Sequence, residues 1–264
     1  MFYDMMECEF MQIIPGHVSG GRGGIKGSFY EFESEMIEQL DVLVEGGQGD
    51  EAYNALFKTI MTECCERSEN PHLKAQGKEF VKTVNDLFQR LLHYRSMIND
   101  ESVDNRMKCT VNLLEFYNEL ERQEMYIRYL YKLSDLHMDC DNFVEAAYTL
   151  MHHARLLTWS NEELHKKLET EKYPDCHTHL ELKARLYNDI IDLFDKGKLW
   201  EKGIELCREL ALVYENDLYD YAQLSFIHRK QADFFDRIMK DLRHDSEFFR
   251  VGFYGRGYPS FLQV

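Results

Sequence analysis

Residues Met125 to Trp159 read as two amphipathic helices joined by a tight turn, and about 56 residues later the same plan returns. Leu130-Tyr131 recurs as Leu186-Tyr187. The second-helix opening Asn142-Phe-Val-Glu-Ala-Ala-Tyr-Thr-Leu150 aligns with Lys198-Leu-Trp-Glu-Lys-Gly-Ile-Glu-Leu206. A helical hairpin of this size cannot bury its apolar face alone, so a repeated hairpin has to stack on its neighbour. Stacks of this kind generally build a surface for another protein rather than a reaction pocket.

The rest of the chain allows such a body. Only 4 prolines occur in 264 residues, and the 15 glycines gather mainly in two patches, so long helices run uninterrupted. With 44% apolar residues the chain can fill a core. The expected fold is all-α, a stack of antiparallel helical hairpins of armadillo or TPR type, with a short β segment at the C-terminus.

Apolar spacing places the elements. Phe2, Met5, Met6 and Phe10 lie on one helical face within Met1 to Met11, and the glycine-rich run Gly16 to Gly27 breaks it into a loop. Helices are expected over Ser28 to Glu45, Glu51 to Glu66, Leu73 to Ile98 and Val103 to Leu120. Glu45-Gly-Gly-Gln-Gly-Asp50 closes the first of these and caps the second. In Glu51 to Glu66 the expected stripe is Tyr53, Leu56, Phe57, Ile60 and Met61. Ser160 to His179 mixes charges with Pro174 and lacks apolar period, so it reads as a long connection between the repeat hairpins. The last helix spans Tyr219 to Leu242, with Leu224, Ile227, Ala232, Phe235, Ile238 and Met239 facing inward. Phe248 to Leu262 alternates aromatic and small residues, which is strand chemistry. Three regions follow: 1–100, 101–243 and 244–264.

Charge and motifs exclude several functions. A formal charge of −16, from 47 acidic and 31 basic residues, repels phosphate backbones and anionic lipid, so no nucleic-acid partner is expected. No apolar run reaches the roughly 18 residues of a membrane span. Seven scattered cysteines suit reduced thiols and a cytoplasmic protein. Lys26-Gly27-Ser28 has the wrong order for a phosphate-binding loop, and Gly255-Arg-Gly257 meets Tyr258-Pro259 instead of a helix. Cys176-His-Thr-His179, or His152-His153 with His137, lacks a second ligand pair at zinc spacing, and only Glu162-x-x-His165 carries a di-iron signature. His153 is better read as packing beside the aromatic stripe. No nucleophile elbow occurs. Catalytic residues, cofactor-binding residues and metal ligands are therefore all assigned as none. The aromatic stripe Tyr126, Tyr129, Tyr131, Phe143, Tyr148 and Trp159 reads as hairpin core before ligand groove.

Several blocks together resemble the DOCK (dedicator of cytokinesis) family of guanine-nucleotide exchange factors, in its Rac-directed branch. They are Asp4-Met-Met-Glu-Cys-Glu9, Glu45-Gly-Gly-Gln-Gly-Asp-Glu51, Asp104-Asn-Arg-Met-Lys-Cys-Thr-Val-Asn-Leu-Leu114, Tyr126-Ile-Arg-Tyr-Leu-Tyr-Lys-Leu133, Asn142 to Leu150, Phe194-Asp-Lys-Gly-Lys-Leu-Trp-Glu201 and Phe249-Arg-Val-Gly-Phe-Tyr-Gly255. The resemblance implies that residues to about 100 end a helical-repeat region. It implies that 101–243 form the first, helical lobe of the exchange region, and that Phe248 to Leu262 begin a β-rich lobe. In the family the following lobes perform exchange, so none is expected from these residues alone. The resemblance also implies a homodimer through the later helices, with Trp200, Ile204, Leu206, Tyr214, Tyr221, Phe226 and Phe235 as candidate contacts. The remaining lobes and, through the parent protein, a Rac-type GTPase are the other implied partners. The competing reading is a free-standing TPR-like peptide-binding module.

Overall fold

The computed structural model describes residues 36–67, 71–170 and 172–242. The expectations for Met1 to Met11, for the glycine loop and for the strands of Phe248 to Leu262 fall outside them. The chain divides into two compact units at Ser102/Val103. All regular structure among the described residues is helical apart from one isolated antiparallel bridge.

In the first unit, helical residues 36–45 (α1) bury Met36, Ile37, Leu40 and Val44. The helix ends where Gly47 takes a left-handed φ of 78°, and the Gln48 amide donates to the Leu43 carbonyl at 3.0 Å. Arg95 closes the same turn, its guanidinium donating to the Gln48 and Gly49 carbonyls at 2.8 and 2.6 Å. The Asp50 carboxylate accepts from the Tyr53 amide at 2.7 Å and caps α2, Glu51–Arg67. α2 packs on α3, Pro71–Met97, at a close approach: a Cβ on Gly77 would meet the Cys65 sulfur at 2.6 Å. Leu56 corrects the expected stripe of α2. It points outward, because Asn54, Phe57, Met61 and Cys65, spaced three to four residues apart, take the buried face.

Among its described residues the second unit stacks six helices, each packed on its neighbours in sequence: α4 (Val103–Glu119), α5 (Gln123–Asp139), α6 (Phe143–Leu156), α7 (His179–Lys196), α8 (Trp200–Asn216) and α9 (Tyr221–Lys240). Three of the turns are built alike. Glu121, Asp141 and Lys198 adopt φ of 55°, 58° and 56°, and the following amides of Arg122, Asn142 and Leu199 each donate to a carbonyl five residues back at 2.9 Å. These are Schellman-type helix ends. Repetition of one reversal keeps successive helices antiparallel and in contact. Gly197 permits the tightest of these contacts, since a Cβ there would lie 2.5 Å from a Val144 methyl.

Ser160 to His179 is not the loose connection that its composition suggests. Leu164, Leu168 and Tyr173 are buried in the core of the second unit. A bridge between Glu163 and Thr178 closes the base of this arm, and a 3-10 turn at Lys166–Leu168 shapes its tip. The arm is pinned from below by His153, which is fully buried. Its Nδ1 accepts from the Tyr131 hydroxyl and its Nε2 donates to the Leu168 carbonyl, both at 3.0 Å. Burial pushes the imidazole down to about 4, with the Leu168 hydrogen bond opposing. At the far end of the arm the Tyr173 hydroxyl donates to the Asp189 carboxylate at 2.5 Å.

Candidate interaction surface on the last helices

The expected contact residues lie on α8 and α9, so the seating of these two helices decides what they can offer. Trp200, at the first position of α8, is 1% exposed and donates from its indole to Asp195 Oδ1 at 2.9 Å. Ile204, Leu206 and Tyr214 are also buried, and the Tyr214 oxygen accepts from Asn188 at 3.0 Å. Burial raises the Tyr214 phenol above its ordinary range, with the Asn188 contact opposing. These four side chains belong to the unit's own core and support the surface from beneath.

α9 is held by one apolar stripe. Ile227 and Phe234 are fully buried, with Leu224 and Ile238 packed beside them. Phe234 fits over Gly203 of α8 so closely that a Cβ there would approach its ring at 2.8 Å. Two charged contacts tie α9 to α7: Arg237 meets Asp195 at 2.7 Å, and Lys230 meets Asp192. Partly exposed pairs of this kind contribute little, so the stripe carries most of the attachment.

The inward residues expected for this helix need correction. Ala232 is exposed, Phe235 and Met239 are 44% and 74% exposed, and Phe234 fills the core instead. At about 100° per residue, Tyr221, Phe235 and Met239 fall within about 40° of one another on one flank of α9. Tyr221 is 66% exposed. Phe226, 51% exposed, lies on the opposite flank. Leu218 and Tyr219 in the α8–α9 turn, and Leu242 beyond the helix, extend the exposed apolar set. The structure thus separates the seven expected residues into four buried supports and three exposed ones. It adds Met239, 74% exposed, to that flank.

The other candidate chemistry disperses. Among the described residues no three His, Cys, Asp or Glu side chains come together as metal ligands. Cys176 to Thr178 lead into α7, where Thr178 and Glu181 make a reciprocal capping box: the Glu181 amide donates to Thr178 Oγ1 and the Thr178 amide to Glu181 Oε2, both at 3.2 Å. The amide of His177 also donates to Glu181, and these bonds hold its carboxyl below the usual range. Cys109 and Cys207 are buried thiols, both pushed up to about 11 by desolvation and so unreactive. No described helix is long and apolar enough to cross a membrane.

The family described as DHR-2, Lobe A matches residues 108–240, most of the second unit, and the Dedicator of cytokinesis (DOCK) TPR region matches residues 1–60. The chain is 41% identical over its whole length to human dedicator of cytokinesis protein 3 and 42% identical to human dedicator of cytokinesis protein 4. DOCK-like protein 1 of Saccharomyces cerevisiae is 24% identical over 70% of the chain and 9% of that relative. The chain spans 12% of the length of each of the two human relatives.

Proposed function

The chain belongs to the dedicator of cytokinesis (DOCK) family, and from that premise we propose that it is a helical scaffold and self-association region of a longer guanine-nucleotide exchange factor for Rac-type GTPases. The observation that carries this reading is the match of the DHR-2 lobe A family to a unit built only of packed helices among its described residues. A stack whose interior is filled by its own side chains offers faces, not a pocket with convergent catalytic groups. Residues 1–100 are assigned to the end of the helical-repeat region and 101–243 to the lobe, a division supported by the boundary between units at Ser102/Val103. Residues 244–264 are assigned to the start of the next lobe.

In this reading the chain positions neighbouring lobes, the GTPase is engaged by the parent protein, and a second copy binds the exposed flank of α9. Tyr221, Phe235 and Met239 supply rigid apolar anchors at one side of a helix, the chemistry enriched at the centres of protein interfaces. Cys109, Cys140, Cys176 and Cys207 are unpaired thiols, which supports placing the protein in the reducing cytoplasm.

The test is release of a fluorescent GDP analogue from Rac. The 264-residue chain is expected to leave the intrinsic rate unchanged, while the parent's complete exchange region accelerates it. A rate above the intrinsic one with this chain alone would overturn the scaffold assignment.

A further inference from the structure

The connection that leaves α6 displays a serine in surroundings that the packing of the stack does not require. Leu157 and Leu164 are buried at its two ends. Between them Thr158, Asn161, Glu162 and Glu163 are exposed, with Trp159 and Ser160 half-buried. The amides of Leu180 and His179 donate to the Ser160 and Glu162 carbonyls at 3.0 and 3.1 Å, which holds this backbone against the start of α7. The Ser160 hydroxyl stays on the open side, where it donates to Glu162 Oε2 at 3.3 Å and lies 2.9 Å from Thr158 Oγ1.

Ser160-Asn-Glu-Glu163 places a carboxylate three residues after a hydroxyl. Among the described residues that spacing occurs also at Thr83–Asp86 and Thr178–Glu181. Thr83 lies inside α3, and Thr178 Oγ1 is engaged as the cap of α7. An enzyme that modifies a side chain grips the backbone on both sides of it, and a helix interior or cap presents that backbone only after local unfolding. Ser160 alone of the three stands in a non-helical, surface segment. The Lys183 ammonium of α7 borders the same segment, donating to the Leu157 carbonyl at 2.9 Å and lying 4.7 Å from the Trp159 ring centre. Burial lowers the proton affinity of Lys183 and the Glu209 carboxylate opposes this in part. Glu209 is itself shared, accepting from the Trp159 indole at 2.8 Å and the Tyr187 hydroxyl at 3.1 Å. A half-buried ammonium in that position gains from an added anion.

We propose that Ser160 is a phosphorylation site for a protein kinase that selects acidic substrates, and that Lys183 braces the phosphate. Glu162 and Glu163 suit a kinase groove lined by lysine and arginine, the chemistry that reads acidic motifs. In the transfer Ser160 Oγ attacks the γ-phosphorus of ATP. The new O–P bond replaces the bond to the oxygen bridging the β-phosphate, ADP leaves, and the hydroxyl proton passes to the kinase's base. The product exchanges a hydroxyl donor for a dianion at neutral pH. It ends the hydrogen bond to Glu162, repels that carboxylate and turns toward Lys183, tying the base of the arm to α7. The site shares no residue with the α9 flank, so failure of either assignment leaves the other standing.

The experiment incubates the full, folded chain with magnesium-ATP and an acidophilic serine kinase, one whose substrates carry a carboxylate three residues after the serine. Tandem mass spectrometry is expected to map the phosphate to Ser160, with none at that peptide in Ser160→Ala. Glu163→Gln should be phosphorylated about tenfold more slowly, since the kinase loses a charge-assisted contact, whereas Glu119→Gln, at an exposed position of α4, should match wild type. Phosphorus NMR of the modified chain then reads the brace. The phosphoserine is expected to titrate about half a pH unit below its ordinary value of about 6, to return to that value in Lys183→Met, and to stay low in Lys183→Arg. Far-UV circular dichroism checks that each variant is folded. Phosphate on other residues while Ser160 stays bare, an undiminished rate in Glu163→Gln, or a phosphate titration indifferent to Lys183 would each overturn the assignment.

Discussion

Replacing Gly203 by valine is expected to lift α9 from its seat and destabilise the second unit by about 3 kcal/mol. Gly203 lies inside a helix, where a change to a residue with a Cβ ordinarily gains up to about 1 kcal/mol or is neutral. Here that Cβ would stand 2.8 Å from one Phe234 ring carbon and 3.3 Å from another, and the valine methyls would reach further. Phe234 is completely buried, so the ring has nowhere to move without withdrawing α9. Overpacking of this kind costs about 1–3 kcal/mol, and losing a buried phenylalanine from its site costs about 3–5. Urea denaturation supplies the magnitude, and amide exchange should show protection lost first along α9. Phe234→Ala should add little in the Gly203→Val background, because both changes remove the same contact. A Gly203→Val protein within about 0.5 kcal/mol of wild type would rule out this packing.

The second large effect is a loss of stability in acid that depends on His153. The imidazole is held at about 4 in the folded protein, below its ordinary 6.5, because burial disfavours the charged imidazolium, and the hydrogen bond to the Leu168 carbonyl opposes this only in part. A histidine whose folded value is depressed binds its proton better when unfolded. Its neutral form therefore supports the fold fully above pH 6.5, and that support is lost as pH falls toward 4. The loss amounts to about 2 kcal/mol at pH 5 and approaches about 3 kcal/mol below pH 4. Denaturation midpoints at pH 7.5 and pH 5 measure it. His153→Gln should be less stable than wild type at pH 7.5 and should lack this part of the slope. An unchanged slope in the variant would mean that other groups, such as His137 and His152, account for it.

Helix order and the hairpin stack were legible in the sequence because each depends on local periodicity and turn composition. Asp50 and the Gly46-Gly47 pair marked real helix ends, and the repeat placed α5 to α8. What could not be read depends on tertiary choice. α9 carries Phe234 and Phe235 side by side, and only the glycine opposite decides which ring enters the core. Leu164, Leu168 and Tyr173 are buried without sharing a period, so no window of sequence marks the arm as packed. Glu121, Asp141 and Lys198 hold left-handed turns without glycine, so helix spacing and not turn residue type marks those reversals. Thr178-x-x-Glu181 was the one available signal for the true start of α7, and it places Cys176 and His177 in a cap.

The candidate surface was legible to the level of the helix and not of the side chain. Trp200, Ile204, Leu206 and Tyr214 are apolar or aromatic at helical spacing, as core and interface residues both are, and burial alone separates them from Tyr221, Phe226 and Phe235. The account therefore rests on whether the α9 flank joins two copies. Light scattering coupled to size exclusion, over a wide concentration range, measures this directly. The account predicts a species of twice the 31.5 kDa chain mass, reverting to a single chain when Phe235 and Met239 are both changed to glutamate. A 31.5 kDa monomer for the wild-type chain at every concentration would contradict it.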